Sequence, residues 1–328
     1  MTEIFEHNPA FENATKLDYE KGYSPDQVYA GFCKMLEATV GQWGLDSSIL
    51  KAINHIPLIL FDVKKANRTL EWIKTVPIKE IRLPFKSCSV ADPLGVVCLR
   101  HCRLYAREDQ SETAKAAFKA IEEDYRQRTY TPPDHCLSAF FITYLTSPKG
   151  INCIGHGDCV ISYSESDEKR LVQVYKFQGI AEYQGKFMFS DQNKEVLQTM
   201  MFDSCRSIGT TIEQLIYMSQ PGSYVLMETP KKVREKSDRP IRAHERSRIR
   251  VFDPEEMREV YLSKHTGSHK SPLPHLRMGH WRTFKAERFS KMKGQMVWID
   301  EIQVRAGEEW EHENKIYKVM ERKEEEPQ

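Results

Sequence analysis

Residues 138–145 read SAFFITYL, a nearly continuous apolar run near the middle of the chain. An apolar run of this length, rich in aromatic and β-branched residues, is typical of a strand covered on both faces. We therefore predict a central strand here. Working outward, the patterns predict further strands at 95–104, 158–163 and 171–183, and alternation at residues 81–85 predicts one more.

Helical patterns flank these strands. Ser24-Pro25, followed by apolar residues at helical spacing, predicts a first helix, and residues 111–128 and 193–219 predict two more. Residues 46–73 are also predicted to be helical, with a break at Pro57. Because helices and strands do not alternate regularly, the predicted fold class is α+β. It combines helices with a mainly antiparallel sheet in a domain over residues 1–228.

Positive charge is concentrated in one part of the chain. The net charge is +1, but residues 231–293 hold eighteen Lys or Arg against eight Asp or Glu. Such a field is typical of proteins that bind nucleic acid or an acidic partner, and a solvated linker without a partner is the alternative. Residues 229–247 have too few apolar side chains to pack, which predicts a basic linker or arm. The residues expected to attract RNA are Lys231, Lys232, Arg234, Lys236, Arg239, Arg242 and Arg246.

The remainder of the chain predicts a small β-rich module over residues 248–320 and an acidic, disordered tail over residues 321–328. The module is inferred from short strand patterns. These lie at 248–252, 260–262, 282–285, 295–299 and 315–320.

Several features bear on the class of protein. Eight scattered cysteines without a C-x-x-C pair predict reduced, buried thiols. The chain shows no signal-peptide pattern and no apolar run long enough to span a membrane, so we expect a soluble protein in the cytoplasm, without membrane contact. It contains no P-loop, dinucleotide-binding motif or nucleophile elbow, and we expect no cofactor.

The candidate binding residues lie in residues 274–282, PHLRMGHWR. Tryptophan and arginine provide stacking surfaces and planar donors, and histidine provides an imidazole that binds or relays protons. The candidates are His275, Arg277, Gly279, His280, Trp281 and Arg282.

Three other interpretations of this segment stay open. Four histidines (265, 269, 275 and 280) suggest a metal, but structural zinc sites usually include cysteine, so we expect none. A ribonuclease would use His275 and His280 to activate a 2′-hydroxyl, with arginines stabilising the phosphate. A purely structural module would bury the histidine and the tryptophan.

A second candidate segment is residues 153–159, CIGHGDC. Gly-His-Gly between two thiols is compatible with a metal or thiol site. The simpler interpretation is a tight turn between two strands, with both cysteines in the core.

Residues 274–281, PHLRMGHW, resemble a signature that reads roughly Pro-His-(Ile/Leu/Arg)-Arg-Arg-Gly-His-Trp. The signature recurs near the C-terminus of a family of proteins borne by phages, prophages and plasmids, and one characterised member is an anti-CRISPR protein directed at the type V-A effector nuclease. Met278 departs from the pattern, where a second arginine is usual, and this is expected to weaken a phosphate contact. The specific similarity covers about forty residues.

The resemblance implies a non-enzymatic regulator rather than an inhibitor of an active site. The characterised member lowers production of the nuclease by recognising its nascent peptide, with loss of the message during translation. We therefore expect an anti-defence protein of a mobile element in the bacterial host cytoplasm. Its expected partners are the nascent polypeptide or the mRNA of a host defence protein, with the ribosome as a further partner and a homodimer as an option. A toxin-like ribonuclease using His275 and His280 is the alternative.

Overall fold

The computed structural model describes residues 24–39, 53, 56–62, 81–125, 133–146, 152–163, 172–183, 186–189, 194–221, 225–228, 248–252 and 275–304. The helices are α1 (Pro25–Thr39), α2 (Glu112–Tyr125) and α3 (Lys194–Ser219). The strands are β1 (Leu58–Asp62), β2 (Cys88–Ala91), β3 (Gly95–Ala106), β4 (His135–Thr146), β5 (Asn152–Tyr163), β6 (Val172–Tyr183), β7 (Lys186–Phe189), β8 (Val225–Glu228), β9 (Arg248–Phe252), β10 (His275–Arg277), β11 (His280–Thr283), β12 (Met296–Ile299) and β13 (Ile302–Val304).

The main sheet contains nine of these strands, in the order β7-β6-β5-β4-β3-β2-β1-β9-β8. Neighbouring strands are antiparallel except at β1, which runs parallel to both β2 and β9. Helices combined with a mainly antiparallel sheet confirm the α+β class. β4 pairs along its length with β3 and β5, so the central strand predicted from SAFFITYL is confirmed.

The two faces of the sheet are covered by different helices. On β4, Leu137 and Phe141 pack into the core with α3, whereas Ile142 and Tyr144 pack on the other face with α1. A third, smaller core joins α2 to Cys136 and its neighbours on the same face as α1. Side chains alternate along a strand, so α3 lies opposite α1 and α2.

The N-terminus of α1 explains why Ser24-Pro25 was a reliable sequence signal for a helix. At α1, the Gln27 amide donates to the Ser24 hydroxyl (3.3 Å) and the Ser24 amide donates to Gln27 Oε1 (2.9 Å). This reciprocal arrangement is a capping box in front of a proline at the first helical position. The predicted first, third and fourth helices are all confirmed.

The predicted helix at 46–73 is wrong at residues 58–62, which form β1. Ile59 and Phe61 face the α3 core, and Leu58 and Leu60 face the α1 core. A strand buried on both faces carries a continuous apolar run, which periodicity cannot distinguish from a buried helix. The expected strand at 81–85 is also wrong, because these residues form an irregular segment.

Residues 153–159 lie within one strand, β5, and the expected turn between two strands is wrong. A Cβ at Gly157 would overlap the carbonyl oxygen of Lys176 on β6, so glycine lets the neighbouring backbone approach closely. Cys159 is buried, Cys153 is half-buried, and all eight cysteines of the chain are free thiols. Burial and, to a smaller extent, the Asp203 carboxylate raise the pKa of Cys153 to about 12.

The C-terminal strands form two small ribbons, β10 with β13 and β11 with β12. Leu276 and Met278 pack against the α3 core of the main sheet, and the Lys86 amide donates to the Glu301 carboxylate (3.0 Å). Residues 248–252 were expected to form the first strand of this module. They form β9 of the main sheet instead, because the edge of β1 that does not pair with β2 hydrogen-bonds with them in parallel. Other predicted segments lie outside the described residues. They are the arm at 229–247, the strands at 260–262 and 315–320 and the tail at 321–328.

Candidate nucleic-acid interface

The turn between β10 and β11 docks the signature onto the main sheet. The Gly279 amide donates to the carbonyl oxygen of Pro84 (3.0 Å), and Gly279 is buried. A Cβ at this position would lie 2.7 Å from Trp298 Cζ2, so the close approach requires glycine. Met278 packs against the α3 core. An arginine there would have to bury its charge, so methionine at 278 suits an apolar contact rather than a phosphate contact.

His280 is held by hydrogen bonds at both ring nitrogens. Its Nδ1 lies 3.1 Å from the carbonyl oxygen of Met278, and its Nε2 lies 3.2 Å from Nη2 of Arg277. A carbonyl only accepts and a guanidinium only donates, so the imidazole carries its proton on Nδ1 and is neutral. Partial burial lowers the pKa of His280, and the charges of Arg277 and Arg282 lower it further against the opposing Met278 bond. The neutral ring orients the Arg277 side chain.

Trp281 forms a cross-strand pair with Trp298. The two residues are in register between β11 and β12, their ring centroids lie 5.6 Å apart, and the rings meet edge to face at 69°. The Trp281 indole nitrogen is shielded from solvent. Such a pair stabilises the ribbon. Base stacking by Trp281 stays a prediction, while the geometry gives this ring a structural contact.

Arginine–aromatic stacking occurs on the opposite face of β11. His280 and Arg282 alternate with Trp281, so they share that face. The Arg282 guanidinium lies 5.2 Å from the centroid of the Phe284 ring and 5.7 Å from that of Phe289, and Arg288 lies 5.0 Å from Phe289. The two phenylalanine rings meet edge to face at 4.9 Å.

We call this surface the arginine strip. It consists of Arg277, His280, Arg282, Phe284, Arg288 and Phe289. Its three arginines are exposed, its two phenylalanines are half-buried, and the exposed Lys285 and Lys291 lie in the same segment. An exposed guanidinium on an aromatic ring is restricted in its motion and presents a flat, cationic surface.

The structure therefore brings together only some of the predicted site residues. Arg277, His280 and Arg282 meet in the strip, Gly279 and Trp281 act in docking and packing, and His275 is described only as a backbone position of β10. The predicted RNA-binding residues of the arm, residues 231–246, lie outside the described residues. Sequence reasoning missed Phe284, Arg288 and Phe289. Their alternation of basic and aromatic residues, RTFKAERF at 282–289, was the available signal.

The described residues contain no group of three or more His, Cys, Asp or Glu side chains arranged to hold a metal ion. None of their helices combines the length and apolar character needed to cross a membrane.

No protein-family model matches the chain, and comparisons with curated proteins and with solved structures also find no match.

Proposed function

We propose that the protein binds single-stranded RNA through the arginine strip and acts without cleaving it. The observation that carries the proposal is the stacking of the exposed Arg282 on Phe284 and Phe289, with the exposed Arg288 also over the Phe289 ring. Single-stranded nucleic acids are bound by cationic surfaces that follow the phosphates and by flat side chains that stack on bases. The strip supplies both kinds of contact.

The state of His280 supports binding over catalysis. A general base needs a nitrogen lone pair directed at the substrate, but Nε2 of His280 accepts from Arg277 and Nδ1 carries the proton donated to Met278. The ribonuclease alternative would require this network to break before each reaction. Arg277 is instead held in place by the ring, which favours a fixed contact with phosphate.

The wider role proposed is that of an anti-defence regulator of a mobile element, acting in the bacterial cytoplasm. Only the resemblance of residues 274–281 supports it. In this role the bound RNA is the message of a host defence protein, engaged during translation, and the basic arm at 229–247 adds salt-dependent affinity. Binding of the nascent peptide, contact with the ribosome and a homodimer belong to the same proposal.

The test is fluorescence anisotropy with a labelled single-stranded RNA of about twelve nucleotides, within the site size of such surfaces. We expect affinity to fall steeply with salt, with a slope of about −0.7 for each phosphate neutralised. Arg282→Gln removes both the charge and the stacking plane. It should weaken binding by the roughly 1–3 kcal/mol of one stacked base and reduce the salt slope by about 0.7.

The matched control is Lys119→Gln, which removes one exposed positive charge from α2 on the other side of the sheet. It should leave RNA affinity unchanged. Equal weakening by both variants would mean that net charge, rather than the strip, determines binding, and the proposal would fail. Shortening of the RNA by the full chain, lost in His280→Ala, would support the ribonuclease instead. Sequencing of RNA captured from host cells then tests the wider role.

A further inference from the structure

A pocket of about 630 Å³ opens between α2 and the main sheet, away from the arginine strip. One wall is formed by the small side chains Ala116, Ala117 and Ala120 of α2. The other is formed by residues of β3, β4, β5 and β6. Its volume lies within the roughly 300–1,000 Å³ typical of sites for small molecules.

Two β-bulges flank the pocket. On β3, His101 and Cys102 stand opposite the single residue Ala139 of β4. On β6, Val174 and Lys176 pair with the consecutive β5 residues Cys159 and Asp158, so Tyr175 between them is the extra residue. Both His101 and Tyr175 line the pocket. A bulge redirects a side chain out of the regular alternation, and bulges are frequent beside binding sites.

The bulge on β3 places His101 in the left-handed region, with φ of 55°. The His101 amide donates to the Ser87 hydroxyl (3.0 Å), and the Cys102 amide donates to the carbonyl oxygen of Lys86 (2.8 Å). These bonds leave Cys102 buried in the α3 core and His101 exposed on the pocket side. A residue other than glycine is strained in this conformation, and such strain concentrates at functional sites.

The polar groups of the pocket suit an anion. His101 and Arg103 line it together with the hydroxyls of Tyr105, Thr113 and Ser138. Burial alone would raise the pKa of Tyr105, but hydrogen bonds with Ser138, Thr113 and Arg103 outweigh it and lower the pKa, so these three side chains lie beside the Tyr105 hydroxyl. Asp158 is the one carboxylate among the lining residues, and it is exposed.

The remaining walls suit a planar ring. Phe140 is half-buried, and Tyr175 is 47% exposed, one of the most exposed large apolar side chains among the described residues. Both aromatic side chains line the same pocket as the three alanines of α2. We propose that this pocket binds a small aromatic anion, with its phosphate or carboxylate on Arg103 and His101 and its ring against Phe140 and Tyr175.

This site is independent of RNA binding by the strip. The pocket lies on the face of the sheet covered by α2, whereas Leu276 and Met278 attach the C-terminal ribbons to the opposite, α3 face. Arg282→Gln should therefore leave the affinity of the pocket unchanged, so the two proposals can fail separately.

The experiment is calorimetric titration of the full chain with phenyl phosphate, benzoate and phenol. We expect saturable binding of at least one of the two anions, which also identifies the preferred anionic group, and no saturable binding of phenol. Arg103→Gln should weaken the bound anion about tenfold, the loss expected for one charge-assisted hydrogen bond. Arg107→Gln, an exposed arginine that follows β3 outside the pocket, is the matched control and should bind as the parent does.

His101→Gly separates a functional histidine from a structural one. Glycine adopts positive φ without strain, so the variant should melt at a higher temperature and yet bind the anion about tenfold more weakly. A rise in melting temperature with unchanged binding would overturn the role of His101. If Arg103→Gln does not fold, Ala120→Trp, which fills the pocket, should abolish binding. Absence of saturable binding by both anions, or binding of phenol as tight as theirs, would overturn the proposal.

Discussion

Neighbouring residues of the signature differ in role: some attach the segment to the main sheet and others face solvent. Met278 and Gly279 attach the segment to the main sheet, while Arg277 and Arg282 face solvent and His280 connects the two groups. The chemistry that suggests a binding site is thus partly the chemistry of docking. A substitution in this segment has to be tested for folding and for binding separately.

At Gly279 the expected effect is on folding. Gly279→Ala places a Cβ 2.7 Å from Trp298 Cζ2 and 3.4 Å from the Ile299 carbonyl oxygen, so the ribbon must move. We expect a loss of about 1–3 kcal/mol in the free energy of unfolding, measured by urea denaturation. Gly209→Ala inside α3 is the control, since among the described residues its Cβ meets only Val172 at 3.4 Å, and it should be neutral or stabilising. Equal destabilisation by both would contradict the docking role.

At His280 the expected effect depends on pH. The pKa in the folded protein is lowered by partial burial and by the two arginines, so on acidification the unfolded chain takes up the proton first. The contribution of His280 to stability is therefore complete above about pH 6.5 and is lost as the pH falls towards the lower folded pKa. Urea denaturation at pH 7.5 and 5.5 should show a larger loss for the parent than for His280→Gln. An identical loss in both would show that this histidine does not titrate as described.

At the scale of elements, sequence patterns predicted most of the long segments. The strands around β4 and the helices α1, α2 and α3 have strong periodicity or caps, so local signals were sufficient. The predictions were wrong at residues 81–85, at residues 153–159 and at β1. β1 depends on both of its neighbours: residues 58–61 are apolar because β2 and β9 flank them and cores cover both faces. That information lies in residues distant in the chain.

The candidate sites were predicted less completely for the same reason. The signature located Gly279 and Trp281 as candidate binding residues, but Pro84 and Trp298, the partners that give them docking and packing roles, are set by tertiary contacts. The bulge at His101 has no sequence signal, because no glycine marks the left-handed position and only a small fraction of other residues adopt it. Sequence patterns therefore indicated residue types, and the structure assigned their tasks.

At the scale of the molecule, the described strands of the main sheet lie between residues 58 and 252. A chain ending at residue 274 should therefore keep the sheet and unfold cooperatively, as followed by far-UV circular dichroism. It should melt at a lower temperature, because Leu276 and Met278 no longer cover the α3 core, and it should lose RNA affinity with the strip. Unfolding of this truncated chain at ambient temperature would show that the ribbons are required for the sheet.

The position of β9 has a consequence for synthesis on the ribosome. β9 lies between β1 and β8, so β8 joins the sheet only through it, and residues 58–62 keep one bare parallel edge until residues 248–252 emerge. An unpaired edge on an apolar strand is a template for association with other chains. Stalled or prematurely terminated products that end before residue 248 should therefore aggregate more readily than those that end after residue 252. The speed of translation through this interval becomes a determinant of yield.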